Sequence, residues 1–185
     1  MAHHLSQLFA SFADQGCGRI YVKTLRENDN SKNQVYFGGG YEAVSIFPAS
    51  KVYADHSGKA YRSIFKAALS FSWLDEDGNA WPAPRAQFIL YPQYPEVRFS
   101  GFLAGCKQAP SNLMTVRQAG RVLFIGVNDR TKALFGKVVE PDHPIAREMA
   151  DFPAEAIAGV FKRIILRGKK AVTDTRAELL EALRE

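Results

Sequence analysis

Residues 19–36 of the chain read RIYVKTLRENDNSKNQVY. The prediction of the fold starts from the change, within these residues, from an alternating pattern to a polar run. Arg19–Leu25 alternates β-branched or aromatic side chains with polar ones, which predicts a strand. The polar run Arg26–Gln34 contains no large apolar residue, and it ends where Val35–Phe37 leads into Gly38–Gly40. These residues therefore predict a strand, an exposed loop and a return into the body of the protein.

Further short elements are expected on both sides of this segment. Leu5–Ala13 has apolar residues at helical spacing and predicts an amphipathic helix. Asp75–Asn79 has the composition of a hairpin turn. Apolar runs of strand length predict the other strands, which are Ala43–Phe47, Ala60–Ile64, Ala67–Trp73, Arg85–Tyr91 and Arg121–Val127.

The pattern changes beyond Asp129, where helical spacing predicts three helices. They are expected at Ile145–Met149, Pro153–Leu166 and Thr173–Leu183. We therefore predict a mostly β fold with peripheral helices (α+β) that forms a single domain over residues 1–185. Its C-terminal segment, from about 140 to 185, is expected to be helical and to lead to a further domain.

Charge and composition favour a polyanionic partner. The chain has 185 residues, 46% of them hydrophobic, a formal charge of +5 and a pI of about 9.2. No acidic residue lies between Glu96 and Asp129, whereas four basic residues do. The two distant cysteines, Cys17 and Cys106, form no zinc or disulfide pattern, and no membrane span or signal peptide is visible. We expect a cytoplasmic monomer without metal or cofactor.

The sequence contains no persuasive catalytic centre. A metal-dependent nuclease needs a Glu-x-Lys pair with a preceding Asp, but Glu96–Arg98 has arginine in place of the lysine. Two alternatives remain open. One is a small metal- or nucleotide-dependent hydrolase built on Gly38–Gly40 and Asp75–Asp77. The other is a protein-interaction domain that uses the helix predicted at Thr173–Leu183.

Two segments are rich in side chains that bind base edges and phosphates. Asn and Gln bind adenine, Arg and Lys bind guanine, and Asp accepts from cytosine. The candidates in the first segment are Lys23, Arg26, Asn28, Asp29, Asn30, Lys32, Asn33, Gln34 and Tyr36. Those in the second segment are Arg98, Ser100, Gly101, Phe102, Lys107, Gln108, Ser111 and Asn112. We expect base contacts from Asn28, Asp29, Gln34, Arg98 and Lys107, and phosphate contacts from Lys23, Lys32 and Ser111.

The same segments carry a family resemblance. Ile20–Asn30, followed by Asn33-Gln34-Val35, resembles the start of the EcoRII-type N-terminal effector domain, with the densest agreement at Tyr21, Lys23, Leu25, Asn28, Asp29, Gln34 and Val35. Tyr91–Leu103 resembles the N-terminal extension of some MvaI/BcnI-type restriction enzymes. The resemblance covers most of residues 18–128.

This resemblance implies a B3-like pseudobarrel whose two loop arms grip the major groove of double-stranded DNA. It further implies the non-catalytic effector role in a type IIE restriction endonuclease. In that role, binding to a copy of CC(A/T)GG stimulates cleavage by a separate PD-(D/E)xK nuclease domain, which is not part of these residues.

Overall fold

The computed structural model describes residues 3–26, 29, 34–38, 51–55, 64–91, 96–108, 119–157 and 161–172. These residues form two helices, α1 (His3–Asp14) and α2 (Pro144–Ala150), and thirteen strands. In chain order the strands are β1 (Arg19–Thr24), β2 (Gln34–Gly38), β3 (Lys51–Asp55), β4 (Ile64–Ala68), β5 (Ser70–Leu74), β6 (Ala80–Pro82), β7 (Gln87–Tyr91), β8 (Glu96–Ser100), β9 (Val122–Asn128), β10 (Ala133–Val139), β11 (Glu155–Ile157), β12 (Phe161–Arg167) and β13 (Lys170–Val172).

The strands form two sheets. The larger has the order β11-β12-β1-β9-β10-β5-β6, with β13 also paired to β12, and the smaller has the order β2-β8-β7-β4-β3. All pairs are antiparallel except β5 with β10. β1 lies between β9 and β12, so the N-terminal strand is hydrogen-bonded to strands more than a hundred residues further along the chain.

Two apolar cores result from the alternation of side chains along β1. Tyr21 and Leu25 belong to a core shared with the smaller sheet, which supplies Val35 and Phe99. The residues of β1 with the opposite orientation belong to a second core beneath the two helices, together with members of both helices such as Leu5, Leu8, Phe9, Phe12 and Met149. The larger sheet therefore buries apolar side chains on both of its faces.

Several sequence predictions are confirmed. The helix predicted at Leu5–Ala13 is α1, and the helix predicted at Ile145–Met149 is α2. The strands predicted at Arg19–Leu25 and Arg121–Val127 are β1 and β9. The predicted turn at Asp75–Asn79 joins β5 and β6 as a hairpin. The prediction of a mostly β fold with additional helices (α+β) is therefore correct for the described residues, which contain two helices.

The C-terminal helix prediction is wrong over Pro153–Leu166. This stretch contains β11 and most of β12, so the segment from 140 onward is not helical throughout. Pairing with β1 outweighs the helical spacing, because alternate residues Ile164 and Leu166 are buried against the helices when the segment is extended. The predicted helix at Thr173–Leu183 and the predicted strand at Ala43–Phe47 lie outside the described residues.

Three further differences concern strands. β10 was not predicted, although it contributes buried residues such as Leu134 and Val138. The strand predicted at Ala67–Trp73 is two strands in different sheets, because the chain passes from β4 to β5 at Leu69. Of the strand predicted at Ala60–Ile64, only Ile64 is described, and it begins β4. In the described part of the chain, neither helix has the length and apolar character needed to cross a bilayer.

We predict that Phe12→Ala lowers the free energy of unfolding by about 3–5 kcal/mol, because it leaves a cavity in the core beneath the helices. Phe12 has no solvent exposure, and its ring occupies the space in front of Gly126. Gln7→Ala changes an exposed position of the same helix and is the control, with an expected change within about 0.5 kcal/mol. Urea unfolding of both variants measures the difference, and equal losses would contradict the assigned helix face.

Candidate nucleic-acid interface

Two stretches of the chain, each containing most of one polar segment found in the sequence, start and finish beside each other in the described structure. We call residues 26–33 the first arm and residues 101–120 the second arm. At one root, the Leu25 N–H donates to the Arg121 carbonyl oxygen (2.7 Å) and the Gly120 N–H donates to the Leu25 carbonyl oxygen (2.9 Å). At the other root, Gln34 is directly opposite Ser100 in the β2–β8 ladder. Both arms therefore span the same two points of the molecule.

A buried ion pair holds the first arm at both of its ends. The Lys23 Nζ atom lies 2.6 and 2.7 Å from the two carboxylate oxygens of Asp29. Those oxygens also accept the N–H of Arg26 at 2.7 Å and the N–H of Tyr36 at 2.8 Å. Since Arg26 begins the arm and Tyr36 follows it in β2, one carboxylate closes the loop.

Burial is nearly complete for this pair, because Lys23 is 4% exposed and Asp29 2%. Burial lowers the pKa of the Lys23 amine below its ordinary value, while the hydrogen bond and charge of Asp29 oppose that decrease. The sequence-based expectation that these two side chains contact phosphate and base does not fit their position. In the structure, the two side chains bind each other, and Asp29 also holds both ends of the first arm.

The start of the second arm is also anchored in the protein. Gly101 has φ +69°, and a Cβ atom there would overlap the carbonyl oxygen of Arg85, so only glycine fits without strain. The Trp73 indole N–H donates to the Phe102 carbonyl oxygen at 2.7 Å. Phe102 is 3% exposed, with its ring stacked 4.8 Å from that of Phe99.

This anchoring corrects two more expectations. Phe102 is among the residues expected to contact DNA, but its ring is part of the shared core. Ser100 is also buried, at the end of β8. A buried aromatic ring can fix where an arm begins, but it does not reach a base in a groove.

One group of predicted residues does come together on the smaller sheet. The Arg98 Nη1 atom donates to the Gln34 side-chain oxygen at 3.2 Å, and its guanidinium carbon lies 4.8 Å from the centre of the Tyr36 ring. All three are half-buried. Their strands are adjacent and Tyr36 is directly opposite Arg98, so the three side chains lie on one face at the roots of the arms.

Exposed predicted residues are found on both arms. Arg26 on the first arm is exposed, and so are Lys107 and Gln108 on the second. The remaining predicted residues lie outside the described part of the chain, and they are Asn28, Asn30, Lys32, Asn33, Ser111 and Asn112.

A further exposed cation, Arg85, was not singled out from the sequence. Its carbonyl group lies against Gly101, so it borders the beginning of the second arm. In the sequence, Arg85 is only the first residue of a predicted strand. Its place beside the second arm follows from the close approach of its carbonyl group to Gly101, which the sequence does not reveal.

Among the residues that the structure describes, two acidic groups near the arm roots are paired with internal cations. Asp29 is bound to Lys23, and Glu140 accepts from the Arg121 Nε atom at 3.0 Å. Arg26 and Lys107 are left as exposed positive charges at the arms. An arrangement of exposed cations with amide and aromatic groups at two adjacent loops can bind a polyanion through its phosphates.

The acidic turn between β5 and β6 has a structural explanation. The Asp75 carboxylate accepts from the N–H groups of Asp77 and Asn79, the Asn79 side-chain amide and the Trp81 indole. Glu76 is bound to Lys137 at 2.7 Å. The hydrogen bonds, that from Trp81 foremost, lower the pKa of the Asp75 carboxyl to about 2. These contacts stabilise the hairpin turn.

Comparisons with protein-family models, with curated proteins and with solved structures find no match for this chain.

We predict that Asp29→Asn lowers the free energy of unfolding by about 3–5 kcal/mol, because the buried Lys23 charge then lacks its partner. Asp14→Asn is the control, since it removes the partner of Lys169 in an ion pair whose side chains are 58% and 61% exposed. That change is expected to cost at most about 1 kcal/mol. Similar losses for the two variants in urea unfolding would disprove the structural role of Asp29.

A second prediction concerns acid stability. The folded-state pKa of Asp75 is below its ordinary value of 3.8. The stabilisation that the ionised carboxylate gives to the folded state is therefore fully present above about pH 4 and is lost as the pH falls toward 2. Asp75→Asn lacks this contribution at every pH. The Tm difference between wild type and variant should therefore narrow between pH 5 and pH 2 in thermal melts. A difference that stays constant over this range would contradict the assignment.

Proposed function

We propose that this chain binds double-stranded DNA sequence-specifically, with the two arms contacting the major groove. The observation that carries this proposal is the pair of shared roots, Leu25 with Gly120–Arg121 and Gln34 with Ser100. Two polar loops that leave the protein at the same place can contact one duplex together. Sequence information in a duplex is most fully available in its major groove.

The anchoring of the roots supports this function in a second way. Asp29 accepts a backbone N–H from each end of the first arm, while Gly101 and Trp73 fix the start of the second. Loops held at their ends lose less conformational freedom on binding, and this favours affinity and a defined register on the DNA. The exposed Arg26 then provides a phosphate contact, while Lys107 and Gln108 carry the amine and amide groups suited to guanine and adenine.

We further propose that the two sheets form a B3-like pseudobarrel and that the chain is the effector domain of a type IIE restriction endonuclease. The core shared between the sheets supports the first part, since Tyr21 of the larger sheet and Phe99 of the smaller belong to it. The EcoRII-like sequence pattern supports the second, and it suggests CC(A/T)GG as the target and a separate nuclease domain as the partner. Within Glu96–Arg98, the Arg98 side chain donates to Gln34.

The test is a titration of the chain with two duplexes of about 20 base pairs that differ only in a central CCTGG or a scrambled pentamer. It is performed without magnesium at about 100 mM salt, because affinity for DNA depends steeply on salt. We expect nanomolar binding to CCTGG, at least about 10³-fold tighter than to the scrambled duplex, and no cleavage after magnesium is added. Equal binding to both duplexes would overturn sequence specificity, and no binding to either would overturn the function.

Matched variants locate the interface. Arg26→Ala and Lys107→Ala are expected to weaken binding several-fold, because each removes an exposed positive charge from an arm. Arg130→Ala removes the same charge from the turn after β9, at the end of that strand remote from the arms, and should bind as wild type. If Arg130→Ala weakened binding as much as the arm variants, the interface would not be at the arms.

A further inference from the structure

A cleft of about 510 Å³ lies beside the root of the first arm. Val22 and Val122 form its floor, and Met149 of α2 lines one wall. Arg26 and Lys162, both exposed, also line it. The cleft thus combines apolar surface with two exposed cationic side chains next to the arm that we propose binds DNA. The third cationic residue of the lining, Lys23, is buried and paired with Asp29.

Strand register brings Lys162 to this position. Lys162 in β12 is directly opposite Val22 in β1, so both side chains are on the face of the sheet that carries the helices. Further along β12, Ile164 and Leu166 occupy the same face and are buried beneath those helices. Lys162 is exposed because the helices do not cover this face at its position, where the cleft lies instead.

Lys162 differs from its basic neighbours in its electrostatic environment. Arg163 donates to Glu155 at 2.9 and 2.5 Å, and Lys169 lies 2.6 Å from Asp14. In contrast, no ion pair or hydrogen bond of the Lys162 side chain is found among the residues that the structure describes. The described lining of the cleft also contains no acidic residue. Within the described part of the chain, the positive charge of Lys162 is therefore not neutralised by a neighbouring side chain.

We propose that Lys162 and Arg26 bind a backbone phosphate of the duplex outside the pentamer read by the arms, with the apolar floor of the cleft against the adjoining sugar. The proposal rests on the proposed DNA-binding function and extends its surface beyond the two arms. A contact of this kind is independent of base sequence, and it positions the protein on the duplex.

The test compares Lys162→Ala with Lys170→Ala in the full chain, by fluorescence anisotropy from 50 to 200 mM salt. Lys170 is also exposed, but it is opposite Arg167 at the other end of β12, about 16 Å away at 3.3 Å per residue. Lys162→Ala should weaken binding to the CCTGG and scrambled duplexes by the same factor, about three- to tenfold. It should also make the salt dependence about one unit less steep. Lys170→Ala should behave as wild type.

Duplex length provides the second comparison. On a duplex trimmed to the pentamer and one base pair on each side, Lys162→Ala should bind as wild type, because the flanking phosphate is absent. If Lys162→Ala equals wild type on the long duplex, or changes the ratio between the two sequences, the flanking contact is overturned. Its failure would leave the proposed function intact, provided that the wild type still discriminates CCTGG. Wild-type binding without discrimination would instead refute the proposed function.

Discussion

Where β1 leads into the first arm, the amine of Lys23 and the carboxylate of Asp29 are withdrawn from water and bound to each other. Neither charge can remain there alone, since an unpaired buried charge costs several kcal/mol. The same carboxylate accepts an N–H from each end of the arm. Because Lys23 belongs to the larger sheet and Tyr36 to the smaller, this one interaction joins the two sheets at the place where the arm begins.

The rest of the proposed interface is arranged around this point. With the first arm closed by Asp29, Leu25 is held where it can bond to Gly120 and Arg121, and this fixes the end of the second arm. The start of the second arm is fixed separately, by the backbone of Gly101 and the indole of Trp73. Most polar groups buried at the roots thus serve to hold the arms. The side chains of Arg26 and Lys107, in contrast, are exposed to solvent.

Local patterns in the sequence predicted α1, β1, β9 and the β5–β6 turn, because each has a clear period or turn composition. They did not predict β12, whose residues also fit a helical spacing, so pairing with a strand distant in sequence decided its conformation. The same limit applies to the site. Composition located the two arms, but it could not distinguish the residues that hold an arm from those that face outward. That distinction depends on burial, as Asp29 and Phe102 show.

The position of β1 between β9 and β12 has a consequence for how the protein is made. Arg19 pairs with Val127 on one side and with Ile165 on the other, so this interior strand of the larger sheet obtains its second neighbour only near the end of the described chain. During synthesis from the N-terminus, β1 cannot complete its pairing until β12 has left the ribosome. Contacts so distant in sequence also slow folding. The chain therefore completes its larger sheet late, and the roots of both arms become fully supported only when translation of these residues is almost finished.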